Sequence, residues 1–296
     1  MSARTHLWSR PLALVATIAG IVMLAVSLTP SGTGEPAYVV ERHVLSIAGE
    51  YADEYEEPGV TAAYLVNKNN WTLNDVPVQV AFNATDSPVQ HDPETLVRNA
   101  MERWSGVSGS YFRFEWAGTT DVGASTCGNP FKVDGVNSVT FVTTMSPVTL
   151  GITCTVWRPN AGPNAPLVEF DMQLNANINW GSGAIIHPGE YDLASTILHE
   201  FGHAAGLGHP CNSSGSGTCS AAEEASVMYP SLTSQVQKRN LRQDDIDAML
   251  EAYPQSAATP TPSPTAAPTT APTAPPTVPQ GTNLQFNIKA PGVARD

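Results

Sequence analysis

Late in the chain His199, Glu200, His203 and His209 fall at a spacing that can do metal chemistry, in the run His199-Glu200-Phe201-Gly202-His203-Ala204-Ala205-Gly206-Leu207-Gly208-His209. On a helix, His199 and His203 lie one turn apart, so both imidazoles project from one face and can grip one ion. Glu200 sits beside that face, placed to hold a metal-bound water without being a ligand. His209 is too far along the axis to join them on a straight helix, so the helix must stop and the chain turn back. Gly206 stands where that turn is needed, and glycine takes positive φ without penalty. Three neutral histidines leave a fourth tetrahedral position of zinc open for water, which is a catalytic rather than a structural arrangement.

The rest of the run supports a helix with a packed back. Ile197 and Phe201 point roughly opposite His199, flanked by Leu193 and Ala204. A buried amphipathic helix carrying two incidental histidines would account for His199-Glu200-x-x-His203 alone. It does not account for a glycine and a third histidine that are both in register.

Several elements are expected to position these groups. Val76 to Phe82 alternates as a strand. Asp92 as N-cap and Pro93 at the first helical position open a helix to about Trp104. Further strands are read at Tyr111 to Trp116, Ser138 to Thr143, Gly151 to Trp157 and Val168 to Leu174. The histidine helix begins at about Tyr191, Ser226 to Pro230 is a tight turn, and Arg242 to Tyr253 is a last helix. Asp244 and Asp245 fall in its first turn, where the helix dipole favours them.

Composition bounds the setting. Charged residues make up only 14% of the 296-residue chain and the net charge is -13, which excludes nucleic acid as a partner for want of clustered Lys and Arg. A basic start (Arg4, His6, Arg10) and an uncharged run from Pro11 to Leu28 make residues 1–30 a secretion signal or, uncleaved, an N-terminal membrane anchor. Residues 31–70 read as an acidic, irregular leader or short pro-segment. The catalytic-type domain covers 71–255. Residues 256–280, almost entirely Pro, Thr, Ala and Ser, are a stiff disordered linker, and the tail 281–296 has no assigned role. Four cysteines in an exported chain should pair. Proximity favours Cys211 with Cys219, leaving Cys127 with Cys154, although three connectivities are open. Cys211 is not needed as a ligand, because the histidine set is complete.

From about Trp71 to Pro254 the chain resembles the metzincin metalloproteases, and among them the matrixins. The resemblance rests on the extended run His199 to His209, on Ser226-Val227-Met228-Tyr229-Pro230, which is similar to the Met-turn of that family, and on Leu241-Arg242-Gln243-Asp244-Asp245-Ile246, which is similar to the opening of its closing helix. It implies an α+β catalytic domain of zincin type. That fold has a twisted five-stranded mixed sheet with one antiparallel edge strand, a long zinc-binding helix, a Met-turn and a C-terminal helix. The strand at Gly151 to Trp157 would be that edge, beside the cleft, where Gly151, Ile152 and Thr153 could pair with an extended peptide. Leu198, Pro230 and Leu232 would shape the pocket for the side chain after the cleaved bond, and Met228 would pack under the metal without ligating it.

The same resemblance implies a zinc endopeptidase with one catalytic Zn2+ acting on protein or peptide substrates; the export signal and paired cysteines place it as secreted, extracellular or cell-surface associated, and a monomer is expected. His199, His203 and His209 would be the ligands and Glu200 the general base. Cys127-Gly128-Asn129-Pro130 echoes the latency cysteine of matrixin pro-segments, but it follows the second strand and lacks the flanking Arg and Asp, so it reads as a disulfide cysteine. The extra histidines of the matrixin structural zinc site are missing around Phe170-Asp171, and Ca2+ has no placed site. A non-catalytic zinc-stabilised surface module, or a zinc hydrolase acting on a non-peptide bond, are the competing readings.

Overall fold

The structure is a computed structural model and describes residues 38–48, 69–128, 130–158, 165–211 and 219–255. The secretion signal or anchor at 1–30, the linker at 256–280, the tail at 281–296 and most of the acidic leader lie outside the described residues.

The expected five strands are present as β2 (Val78–Asn83), β3 (Phe114–Thr119), β4 (Ser138–Val142), β5 (Thr149–Trp157) and β6 (Leu167–Asn175). They run side by side in the order β3-β2-β4-β6-β5, and only β5 is antiparallel to its neighbour in that set. Two more strands extend the sheet beyond β5: β1 (Val39–Ile47), and β9 (Ser231–Leu232) after the histidine helix. A two-stranded parallel sheet, β7 (Trp180–Gly181) with β8 (Tyr191–Asp192), leads into that helix.

Three expectations about the strands are corrected here. Val39 to Ile47 is a nine-residue strand, not part of an irregular leader. Its apolar alternation is interrupted by Glu41-Arg42-His43, and it becomes a strand through pairing with β5 from Val39 to Ser46. In consequence β5 is antiparallel, as expected, but it is not the edge of the sheet. The strand expected at Tyr111 begins later, at Phe114, because the Tyr111 amide bonds the carbonyl of Tyr253 (3.1 Å) near the end of the domain.

Two helices, α1 (Pro93–Ser105) and α2 (Leu193–Ala204), pack against each other and α2 packs on β5. Their apolar faces share one core with the sheet, built around Trp104, Phe112, Phe170, Phe201 and Tyr253, all fully buried. Pro93 opens α1 as expected, but Asp92 does not cap it with its side chain. A preceding 3-10 turn sets Asp92 in the left-handed region (φ 48°), where its own N–H bonds Val89 O (3.2 Å). A five-residue helix, α3 (Ala221–Ala225), precedes the Met-turn and α4 (Gln243–Ala252) closes the domain. Among the described residues no helix is long and apolar enough to cross a membrane.

Candidate active site

Helix α2 carries the chemistry, and both its ends are tied down. At the start, buried Asp192 accepts from the Ser195 amide (3.2 Å), the N-cap geometry that satisfies a free helix donor. The Arg239 guanidinium grips the same carboxylate, with Nε 2.8 Å from Oδ2. At the far end the helix has carbonyls with no helical partner. Trp71 Nε1 donates to Ala204 O (2.8 Å) and the Tyr253 hydroxyl to Ala205 O (2.5 Å). Two residues 182 apart in the sequence therefore meet at the point where the helix must stop. Gly206 then takes φ 84°, as its position predicts, and the chain reverses.

That reversal brings His209 back to His199 and His203. The three Nε2 atoms lie 3.0, 3.1 and 3.3 Å from one another. A tetrahedral zinc about 2.0–2.1 Å from each nitrogen would set them about 3.3 Å apart. The ring protons are placed by the opposite nitrogens: His199 Nδ1 faces Val227 O (2.8 Å) and His203 Nδ1 faces Leu207 O (2.7 Å). A carbonyl only accepts, so each Nδ1 is the donor and each Nε2 offers a lone pair. Buried lone pairs that converge on one another repel unless a cation lies between them, so this donor set fits a metal ion. Burial holds the protonation of His199 down to about 3 and puts His203 and His209 well below the usual range, leaving all three in the ligand form at neutral pH. This is the one group of three or more His, Cys, Asp or Glu donors that comes together among the described residues.

Glu200 is fully buried beside the triad. One carboxylate oxygen accepts from the Thr153 hydroxyl (2.6 Å), and the other, Oε1, finds no partner among the described residues. Burial raises its pKa to about 8, against the pull of the Thr153 hydrogen bond; a cation close by acts in the opposite direction. A Cβ on Gly151 would stand 2.6 Å from Oε1, so the carboxylate occupies the space that a side chain there would take. Gly151 and Thr153 thus make room for Glu200 and orient it, and neither was read in that role from the sequence.

Met228 lies under the site: its Sδ would be 2.2 Å from a Cβ on Gly202, so helix and Met-turn touch through the missing side chain. Asp245 holds the turn there. Its buried carboxylate accepts from the amides of Val227 (3.0 Å), Met228 (3.2 Å) and Arg242 (2.8 Å). The helix-dipole reading of Asp245 missed this, and the only signal was its place in the motif that follows the Met-turn. A small pocket beside His199 is lined by Leu45, Ser195, Val227, Tyr229 and Leu232. Leu232 is among the residues that line it. Pro230 instead offers its carbonyl to the Ser46 amide (3.3 Å), and the Leu198 carbonyl accepts from Trp104 Nε1 (2.8 Å). Ile152 turns to the other face of the sheet, against Val40, Cys154 and Val156. Disulfides join Cys127 to Cys154 and Cys211 to Cys219, the pairing favoured by proximity. Asp171 accepts from Thr126 and Ser138 and is committed to holding the loop before β4.

A mixed sheet on two helices, with a buried three-histidine centre and a methionine turn beneath it, defines an α+β domain of the metzincin catalytic type. The chain belongs to the matrixin family, whose sequence model matches residues 70–254. It is 27% identical over 195 residues to Metalloendoproteinase 2-MMP of Arabidopsis thaliana, covering 62% of this chain and 42% of that protein. It is 26% identical over 203 residues to Metalloendoproteinase 1-MMP of the same plant, covering 64% and 46%. A shorter stretch of 63 residues is 38% identical to Metalloendoproteinase 1 of Glycine max, covering 21% and 17%. The chain thus spans less than half the length of these curated relatives.

Proposed function

We propose that the protein is a secreted zinc-dependent endopeptidase, with His199, His203 and His209 as the metal ligands and Glu200 as general base. The observation that carries the reading is the convergence of three lone-pair nitrogens next to a buried carboxylate that has one oxygen to spare. A zinc ion bound there supplies Lewis acidity, polarising a peptide carbonyl and making water acidic near neutral pH. Glu200 takes the proton of the attacking water and delivers it to the leaving amine nitrogen. The Thr153 hydroxyl fixes one carboxylate oxygen so that the other is free for that transfer. The carbonyls of Val227 and Leu207 hold the imidazoles of His199 and His203 in the tautomer that ligates. Peptide and protein chains are the substrates this cleft suits, and the pocket beside His199, lined by Leu45, Val227 and Leu232 and also by Ser195, Ser231 and Lys238, takes the side chain after the cleaved bond. The uncharged run at Pro11 to Leu28 and the two disulfides support export.

The test is hydrolysis of an unstructured protein by the zinc-loaded chain, with and without chelator, beside Glu200→Gln. Glu200→Gln is expected to lose about 10²- to 10⁴-fold in rate while still binding zinc. Equal cleavage by Glu200→Gln would remove it as the base.

A further inference from the structure

The pocket beside His199 is not apolar throughout. Val227 and Leu232, both buried, give it apolar walls, while Ser231 and Lys238 bring a hydroxyl and an ammonium to the same lining.

Lys238 is held at both its backbone and its tip. Its amide donates to the Ser195 hydroxyl oxygen (2.6 Å), and Ser195 donates in turn to Asp192, the buried acid that caps α2. Arg239 grips the same carboxylate, so the segment that carries the lysine is tied to the first turn of the histidine helix. At the tip, Nζ donates to Glu224 O (2.6 Å) in α3 and stands 4.4 Å from the centre of the Tyr229 ring, which also lines the pocket.

A carbonyl and an aromatic face hold a cation without cancelling its charge. Lys238 forms no ion pair among the described residues. Burial lowers its pKa to about 8, against the pull of Asp245 and Glu224, so at pH 7 it keeps its proton. An ammonium has three protons to donate, and the Glu224 carbonyl takes one. A half-buried cation with donors to spare makes the pocket selective. An acidic side chain entering it gains a charge-assisted hydrogen bond, a neutral one gains less, and a basic one meets repulsion.

We propose that Lys238 is the specificity-determining residue of this pocket and that the protein cuts preferentially before glutamate. The stem of the glutamate side chain lies along Val227 and Leu232, and its carboxylate meets the Lys238 ammonium. Aspartate is the poorer fit, because its shorter stem covers less of the apolar wall. This rests on the peptidase reading of the site and deepens it from peptide chains in general to chains with an acidic residue after the cleaved bond.

The zinc-loaded full chain is given peptides that differ only in the residue after the cleaved bond, which is Glu, Gln, Leu or Lys. The kcat/KM for Glu is expected to exceed that for Gln, its neutral isostere, by about tenfold, and Lys to be the poorest of the set. Lys238→Met brings the Glu-to-Gln ratio to about one, and Lys238→Glu inverts the order of Glu and Lys. A lysine that only braced α3 would, on removal, lower the rates for all the peptides together and keep their ratios, and that result overturns the proposal. Binding of the same peptides to zinc-loaded Glu200→Gln, followed by fluorescence anisotropy, needs no turnover and is expected to show the same order. Should the lysine variants fail to fold, the wild-type ratios decide. Equal kcat/KM for Glu and Gln, or a preference for Leu over Glu, overturns the proposal and leaves the peptidase reading standing. A folded, zinc-bound wild type that cuts none of the peptides, nor any of a broad library, removes the peptidase reading and this specificity with it.

Discussion

The two sides of the sheet are finished in different ways. On one side β3 is the last strand among the described residues, parallel to β2, with no strand outside it. Its side chains alternate between the core and water, its register slips where Ala81 meets Gly118, and Gly118 adopts φ 103°. Outside, Arg98 lies over the Trp116 ring at 3.9 Å, and Glu115 accepts from Gln79. A bulge, charge and a twist discourage a further strand from adding to such an edge. On the other side β5 keeps a regular register for most of its length and carries an added strand, which is itself followed by β9. The difference follows from position. Three strands separate the β3 edge from β5, and that edge can be spoiled for pairing. β5 lies against Glu200, and its outer side is covered by β1.

This contrast can be broken in graded ways. Gly151→Ala acts on the covered side, where the new methyl meets a carboxylate that Thr153 holds in place. Displacing Glu200 by a fraction of its own length is expected to cost on the order of 100-fold in kcat. The protein should still fold and bind zinc, which circular dichroism and metal analysis would check. Gly118→Ala acts on the open side, where an L side chain is strained at φ 103°. It should cost about 1–2 kcal/mol in stability by denaturant titration and leave kcat/KM unchanged. If Gly118→Ala lost activity and Gly151→Ala did not, the assignment of roles to the two sides would be reversed.

The smallest effect concerns two carboxylates. Glu115 on β3 is exposed, whereas Glu169 on β6, opposite Val156, is almost fully buried. Burial lifts Glu169 to about 7, against hydrogen bonds from the amides of Asp134 and Gly135 and helped by the charges of Asp171 and Asp134. A carboxyl with a raised folded pKa keeps its proton in the native state after the unfolded chain has lost it. Its contribution to stability is therefore fully present below about 4.5 and is lost as pH rises towards 7. Melting temperatures should fall across that window, and Glu169→Gln should flatten the slope.

The parts of the site that sequence made legible are those whose geometry is local. The spacing of His199 and His203 on one helix face, and the need for a turn at Gly206, follow from 3.6 residues per turn and from the freedom of glycine. The five strands and the long helices were also readable, because each carries its own apolar period. What was missed depends on partners far along the chain. Asp245 looked like a dipole-matching acid until the Met-turn was placed over it, 17 and 18 residues away. Thr153 looked like part of a peptide rail, yet its hydroxyl belongs to Glu200, 47 residues on. Val39–Ile47 was hidden for the same reason. Its charged centre weakens the strand signal, and its pairing partner lies more than a hundred residues downstream.

By itself, then, the sequence determined the donor set, its protein family and the order of the elements, since these are carried by residue types at short, fixed spacings. Only the tertiary structure decided which oxygen of Glu200 is held and which is spare, what fixes the Met-turn, and which segment pairs with β5. Those depend on backbone edges and buried polar groups finding partners across the sheet, and no local pattern records which partner is chosen.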